Sequence, residues 1–381
     1  MKKQWNGNQY KLGMLGGGQL GRMFIQEALN YDVHVHCIDP DPVAPCSLIA
    51  SSFTVGSLND YDAVIAFGSD KDVITVEIEN VSIEALVELE KQGKKVFPQP
   101  RVLATIKDKG TQKAFYDQHQ IPTAPFKLVQ NKEELVANCP EFPFVLKLRT
   151  GGYDGKGVQI IRSEEDLQTA FDAPCVIEEM IPFSKELSVI VARNEAGQTA
   201  VYPTVECEFN PVANLVEFLF SPAEIPQDIE KKAEEIALQV IDQLQMVGIL
   251  AVELFLTETG EILVNEIAPR PHNSGHHTIE CCYTSQFEQH LRSVVNAPLG
   301  STDLIVPGVM INLLGEENFE GDAKYEGIEE VMSWPGVAVH LYGKQKTKGF
   351  RKMGHVTIYG PDLENCKTVG RKVATTLKIK A

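Results

Sequence analysis

Glu253 and Glu266 each sit inside an apolar run, Gly248–Leu256 and Ile262–Ile267 respectively. If Thr259-Gly260 is a two-residue hairpin turn, position 253 falls directly opposite 266. In that register Phe255 faces Val264 and Ala251 faces Ala268 on the same side. Directly opposed side chains have Cβ atoms about 4.5–5.5 Å apart, and like charges so placed repel. Apolar neighbours leave little water to screen them, so a pair on a solvated face fits poorly. A divalent cation resolves the conflict, and carboxylate with phosphate oxygens is the usual Mg²⁺ environment.

A second stretch suits phosphate. Arg149-Thr150-Gly151-Gly152-Tyr153-Asp154-Gly155-Lys156-Gly157 lies between the apolar runs Phe144-Val145-Leu146 and Val158–Ile161, giving strand, glycine-rich turn, strand. Glycines let backbone lie against a bound group with no Cβ in the way. Lys147, Arg149 and Lys156 add positive charge, so the hairpin reads as a lid over nucleotide phosphates. It is not a Walker A loop, since no Gly-Lys-Ser/Thr opens a helix there. The plainer alternative is a surface hairpin with a mobile tip.

A third, Gly16-Gly17-Gly18-Gln19-Leu20-Gly21, satisfies GxGxxG after a strand and at the mouth of a helix. Asp39 stands near where a ribose-binding acid belongs. An NAD-dependent dehydrogenase is therefore a competing reading, although glycines at a helix N-terminus accept any phosphate. Such an enzyme would leave the central glutamates and the glycine lid unexplained. The segment Ala268–His277 is stiffened by two prolines and is dense in Arg, His, Asn and Ser. Its spacing is not that of a zinc site, and substrate or anion contacts suit it better. Lys344, Lys346, Lys348, Arg351 and Lys352 form a basic run that contains no acid. Such a run attracts a phosphate-bearing substrate, with Arg able to bind oxygens bidentately.

The elements that must position these groups read as α/β, with α+β character in parts. Strand patterns at Tyr10–Leu15, Val33–Ile38, Val73–Ile78 and Val96-Phe97 alternate with helix patterns at Gln19–Leu29 and Ile83–Gln92, implying a parallel sheet. A helix over Lys107–His119 ends before a proline-marked hinge at 121–125. The strand Cys175–Glu179, a helix over Glu230–Leu244 and the two glutamate-bearing strands follow, and Pro298 and Pro307 lead into a β-rich segment. At 381 residues several domains are expected, bounded at 1–105, 106–190, 191–300 and 301–381. A net charge of −17 argues against nucleic acid as partner. No run reaches the roughly 20 apolar residues of a membrane helix, and the N-terminus carries no signal-peptide core. The eight cysteines lack CxxC spacing, which fits reduced thiols in the cytoplasm.

Taken together, these elements resemble the ATP-grasp superfamily, and most closely the 5-(carboxyamino)imidazole ribonucleotide synthetase (PurK) family. The most specific matching segments are Gly16–Arg22, Arg149–Gly157, Asn265–His276 and Gly349–His355. The resemblance implies an N-terminal Rossmann-like domain, a small lid, a large subdomain with the metal site and a C-terminal β-rich domain. It also implies the reaction: ATP, bicarbonate and 5-aminoimidazole ribonucleotide give the carboxyamino ribonucleotide, ADP and phosphate through carboxyphosphate, in purine biosynthesis.

By the same resemblance Lys109 and Lys147 hold ATP phosphates, covered by Gly152, Tyr153, Asp154, Gly155, Lys156 and Gly157. Glu178, Glu179 and Ile181 line the adenine pocket, with Glu186 on the ribose. Glu253 and Glu266 carry Mg²⁺, or Mn²⁺ as a substitute, with Asn265 beside them. Gln19, Leu20, Glu79, Tyr153, Asp154, Arg351 and Lys352 meet the ribonucleotide. Arg270, His272, Asn273, Ser274 and Lys346 surround bicarbonate or carboxyphosphate, and Asp154 orients the amine or relays its proton. The implied assembly is a homodimer. Departures stand at Lys109, where Arg is frequent, at Val158, where Gln is common, and at Phe209, where His is common. The rivals are a formate-dependent glycinamide ribonucleotide transformylase, the dehydrogenase, and a non-catalytic nucleotide-binding module.

Overall fold

The computed structural model describes residues 4–152, 157–210 and 215–381. Its first element set is β1 (Lys11–Leu15), α1 (Gln19–Asn30), β2 (His34–Asp39), β3 (Ser52–Val55), α2 (Tyr61–Gly68), β4 (Val73–Val76), α3 (Ile83–Lys91) and β5 (Lys95–Val96). The five strands form a parallel sheet in the order β3-β2-β1-β4-β5. Chain direction across the sheet reverses between β1 and β4. In open α/β sheets the crevice beyond the strand ends at such a switch point takes the ligand. Here it is flanked by Gly16–Gly18 after β1 and Glu77–Glu79 after β4.

Two helices follow where one was expected: α4 (Pro100–Lys107) and α5 (Lys109–Gln118). The break is Asp108, which takes an extended conformation and accepts from the Gly110 and Thr111 amides as the N-cap of α5. The hinge after α5 is sutured to a later strand, because the Val264 amide donates to Pro122 O (2.8 Å) and the Thr123 hydroxyl to Val264 O (2.6 Å).

The lid sheet comprises β6 (Phe126–Val129), β7 (Phe144–Leu148), β8 (Val158–Ile161) and β9 (Cys175–Glu179), with α6 (Lys132–Ala137) and α7 (Glu164–Leu167). It is antiparallel, in the order β6-β9-β7-β8, around Leu135, Phe144, Leu146 and Ile177.

The remaining strands are β10 (Phe183–Arg193), β11 (Thr199–Val201), β12 (Val205–Phe209), β13 (Val216–Ser221), β14 (Gly248–Thr257), β15 (Ile262–Ala268) and β16 (Gly308–Leu314). After them come β17 (Gly321–Asp322), β18 (Lys324–Glu326), β19 (Val337–Leu341), β20 (Lys346–Thr347), β21 (Lys352–Tyr359) and β22 (Lys378–Lys380). One antiparallel sheet runs β15-β14-β10-β12-β13-β16-β21-β19, so the C-terminal strands continue the sheet that bears the glutamates. The expected boundary at 190 falls inside β10.

Helix α8 (Gln227–Leu244) covers the glutamate-bearing end through Ile229, Ala233, Ala237, Val240, Ile241 and Leu244, a stripe of helical spacing. After the short α9 (Thr278–Cys281), α10 (Gln286–Val294) inserts Phe287, Leu291 and Val294 against Met23 and Phe24 of α1, welding the parallel-sheet unit to the central one. Helices α11 (Ile328–Met332) and α12 (Leu363–Thr376) close the C-terminal face. All eight cysteines are free thiols. Among the described residues, no helix is long and apolar enough to cross a membrane.

Candidate active site

Glu253 does pair with Glu266, but by a different route from the expected turn. The Thr257 amide donates to Glu261 O, and residues 258–260 form a three-residue loop with Gly260 at φ 83°. That loop pairs Phe255 with Leu263, not Val264, and sends Val264 into the core. A bulge at Asn265 then adds one residue to β15 and restores the 253–266 pair, with Ala251 opposite Ala268 as expected. Two irregularities cancel. Glu186 and Ser188 on β10 oppose Phe255 and Glu253, so they share the glutamates' face.

Burial, followed by the facing Glu266 carboxylate, raises the Glu253 carboxyl above its usual range. Glu266 is held low, chiefly by the Lys109 ammonium in contact with it. The pair is therefore split by its surroundings, one acid carrying a cation and the other facing His272 Nε2 at 3.5 Å. Two opposed carboxylates on a half-buried sheet face suit a divalent ion, and Glu253 and Glu266 would hold it.

Lys109 is delivered by the first turn of α5, whose Asp108 cap is also gripped by Arg149. The Arg149 Nε and Nη2 donate to the two Asp108 oxygens at 2.9 and 2.7 Å, and its carbonyl accepts from the Lys109 amide at 2.8 Å. Arg149 is thus a clasp between lid and α5, not the loose phosphate-facing cation expected from sequence. A Cβ on Gly110 would lie 2.6 Å from the Arg149 Nε, so the closeness of this clasp requires glycine.

Lys147 on β7 reaches Asn265 Oδ1 at 2.9 Å and Glu178 Oε2 at 2.8 Å. The other Glu178 oxygen lies 3.1 Å from Lys113 Nζ, which donates to Thr123 Oγ1 at 2.6 Å. Lys113 and Glu178 are 2% and 3% exposed, a buried ion pair reinforced by a third charge. Burial pushes the Lys113 ammonium down to about 8. Burial works against Glu178 ionising, but Lys147 and Lys113 outweigh it and lower its pKa. Glu178 therefore anchors Lys147, whereas Glu179, next along β9, is exposed and Ile181 half-buried. Burial pushes Glu186 up to about 7, with Lys147 opposing.

Beyond β15 the chain turns sharply. The His272 amide donates to Gln286 Oε1 (2.8 Å), while Gln286 Nε2 donates to His272 O (2.7 Å) and contacts His276 Nδ1 (3.0 Å). One buried carboxamide thus fixes the segment's backbone. The Ser274 hydroxyl contacts His272 Nδ1 (2.9 Å) and Ser188 Oγ (2.7 Å), tying the segment to the glutamate face. Asn273 exchanges two 2.7 Å amide bonds with Asn312 on β16, so it holds the segment to the sheet. Arg270 Nε lies 2.9 Å from Glu79 Oε1, linking this segment to the crevice after β4.

At that crevice the glycine turn already faces acids. Gly17 N donates to Asp39 Oδ2 (2.7 Å), Gly18 N to Glu77 Oε2 (2.5 Å) and Leu20 N to Glu77 Oε1 (3.1 Å). Asp39 also accepts from the Asp41 amide, so it is a turn-former here and not a ribose ligand. Lys344 Nζ donates to Gln19 Oε1 and to Lys352 O, both at 2.6 Å, which seats the C-terminal basic run beside α1. Arg351 Nη1 donates to Lys346 O, and the Lys346 side chain is exposed on β20.

Gly152 and Gly157 flank the lid loop; Tyr153, Asp154, Gly155 and Lys156 lie outside the described residues. Val158 begins β8 and Phe209 ends β12. Sequence reading missed Glu77, Asp108, Lys113, Gln286 and Asn312 as positioning groups. Only Asp108 carried a signal, a helix cap ahead of Lys109.

The folding units define an ATP-grasp enzyme. The ATP-grasp domain model matches residues 114–287, the ribonucleotide synthetase preATP-grasp domain 9–107, and the phosphoribosylaminoimidazole carboxylase C-terminal domain 308–368. The N5-carboxyaminoimidazole ribonucleotide synthase of Bacillus subtilis is 39% identical over 353 residues, covering 91% of this chain and 90% of that protein. A chloroplastic phosphoribosylaminoimidazole carboxylase of Vigna aconitifolia is 40% identical over 366 residues; they span 94% of this chain but 65% of that protein. The crystal structure of N5-carboxyaminoimidazole ribonucleotide synthetase from Thermotoga maritima superposes with a TM-score of 0.91 at 42% identity, covering 98% and 99% of the two chains. That of N5-carboxyaminoimidazole synthase from Aspergillus clavatus, in complex with ADP and 5-aminoimidazole ribonucleotide, gives 0.89 at 31% identity, covering 98% and 99%. The chain belongs to the N5-carboxyaminoimidazole ribonucleotide synthase family.

Proposed function

We propose that this protein uses ATP and bicarbonate to carboxylate the amine of 5-aminoimidazole ribonucleotide, releasing ADP and phosphate. The observation that carries the reading is the direct link between the glutamate pair and the switch-point crevice. One segment, Glu266 to Ser274, joins the glutamate pair and its lysines to the crevice after β4 through the Arg270–Glu79 ion pair. A phosphoryl-transfer end and a ribonucleotide end are thus held on one strip of chain.

Phosphoryl transfer asks for positioning and charge neutralisation. Lys109 and Lys147 supply positive charge at the nucleotide end, and Gly152 and Gly157 flank the covering loop. Glu179 and Ile181 line the adenine pocket, Glu186 meets the ribose, and Glu178 acts through Lys147. A divalent ion, when bound, adds charge neutralisation at the transferred phosphate. A bicarbonate oxygen attacks the γ-phosphorus, the bond to the ADP oxygen breaks, and carboxyphosphate forms. Its cleavage to carbon dioxide and phosphate places the carbon beside the amine, which attacks and then loses a proton.

Arg270, His272 and Ser274 contain the acid and Lys346 adds charge from β20, while Asn273 holds their segment. Gln19, Leu20 and Glu79 meet the ribonucleotide, and Arg351 and Lys352 draw its phosphate. Asp154 orients the amine. A closed lid keeps water from carboxyphosphate. The test is coupled ADP release with bicarbonate, formate or no acid, with and without the ribonucleotide. Release should need both bicarbonate and ribonucleotide. Formate supporting equal release would favour a transformylase.

A further inference from the structure

The turn Gly16–Gly21 has the spacing of a dinucleotide fingerprint and lies at the sheet's switch point. In that fingerprint the helix-opening amides receive a pyrophosphate. Here those amides have an internal partner. Glu77, one residue beyond β4, takes Gly18 N and Leu20 N with its two oxygens, and Asp39 takes Gly17 N. Helix α1 has no acid in its first turn and no side-chain cap from Gly18, so Glu77 supplies the anion from a neighbouring strand. The turn is shaped around it: a Cβ on Gly18 would lie 2.4 Å from Glu77 Oε1, and one on Gly16 2.8 Å from Oε2.

We propose that Glu77 is a specificity-determining residue that closes the glycine turn to phosphate and thereby sets which end of the ribonucleotide enters the crevice. A phosphate at the turn would find its donors taken and two carboxylates facing it. Of the cations around the crevice, Arg270 is engaged by Glu79, and a run of them lies to one side, where Lys344 reaches Gln19 and leads into Arg351 and Lys352. The phosphate goes there, and the ring with its N–H donors is left at Gln19 and Glu79. This orientation rests on the proposed function; the acidic cap itself does not.

The test uses full-length protein with its nucleotide site saturated by ADP. Pyrophosphate binding is followed by calorimetry, which does not depend on turnover. Pyrophosphate is titrated into protein carrying Arg351→Ala and Lys352→Ala, which removes the basic run as a second anion site; with Glu77 intact no pyrophosphate binding should remain, and binding there overturns the proposal. In that background Glu77→Ala should acquire such binding, and Glu77→Gln alone should raise the ribonucleotide KM about tenfold or more, since Gly18 N and Leu20 N use different carboxylate oxygens and in glutamine one of them becomes an NH2 that faces a donor. The KM for ATP should stay within twofold. A folded Glu77→Gln enzyme with wild-type ribonucleotide KM, or a folded Glu77→Ala protein still blind to pyrophosphate, refutes the idea. Failure of the function itself reads differently, as wild-type ADP release indifferent to the ribonucleotide.

Discussion

Replacing Lys113 by Met tests whether a buried residue controls Lys147, the lysine proposed to hold ATP phosphates. Lys113, Glu178 and Lys147 form a buried row with net charge of about +1, and its end toward the glutamate-bearing strand is the Lys147 ammonium on Asn265. Lys113→Met keeps the volume and leaves a neutral Glu178–Lys147 pair. Breaking a buried pair outright costs about 3–5 kcal/mol; because Lys147 stays on Glu178, the lower end, about 3 kcal/mol, is expected. Lys147, now sole counterion to a buried carboxylate, offers less charge to phosphate. A loss of about 1.4 kcal/mol there raises the ATP KM tenfold. Denaturant unfolding and steady-state kinetics measure the two effects, and adding Glu178→Gln removes the carboxylate that has lost Lys113. The double variant should recover at least about 1.5 kcal/mol over additivity, three times the error of independent sites. Additive losses within about 0.5 kcal/mol, or an unchanged ATP KM in Lys113→Met, would show that the row does not work as a unit.

Glu266→Gln should cut turnover at least about a hundredfold while nucleotide binding falls less, as judged by comparing kcat with ADP affinity, because it removes half of the opposed carboxylate pair. Glu186 titrates near 7 in the folded protein against 4.5 for an ordinary glutamate. Folding stability should therefore fall as pH rises between those values, by at most about 3 kcal/mol. Glu186→Gln should flatten that slope in unfolding curves at pH 4.5 and 7; an unchanged slope would deny the burial effect. Arg149→Met should unclasp the lid from Asp108 and raise ATP KM and loop proteolysis together, whereas a change in ribonucleotide KM alone would count against the clasp.

Much of the architecture was legible because periodicity and burial agree. The β9 run Cys175–Glu179 is apolar without alternation through Ile177, as suits a central lid strand. The α8 stripe was readable for the same reason. The glutamate pairing was legible in outcome but not in cause, since a loop one residue longer and a bulge offset each other. Bulges have no periodicity to betray them. Glu77 hid in Val-Glu-Ile-Glu-Asn, where only its neighbour Glu79 looked like a site residue. Lys113 hid on a helix whose mean character is polar, and nothing local says that one of its charges points into a core. Gln286 and Asn312 act through contacts between segments distant in sequence, which one-dimensional spacing does not encode.

The bulge at Asn265 also has a meaning for how this protein tolerates change. It lies between the loop tip at 258–260 and the glutamate pair, and it is where the strand register is reset. The tip is exposed, its contacts are local, and the pairing it starts ends before position 253. Length variation at the tip is therefore absorbed on the far side of the bulge. The hairpin behaves as a geared coupling, in which slippage at one end is not passed to the other. The tip can be lengthened, shortened or labelled while the glutamate-bearing edge keeps its setting.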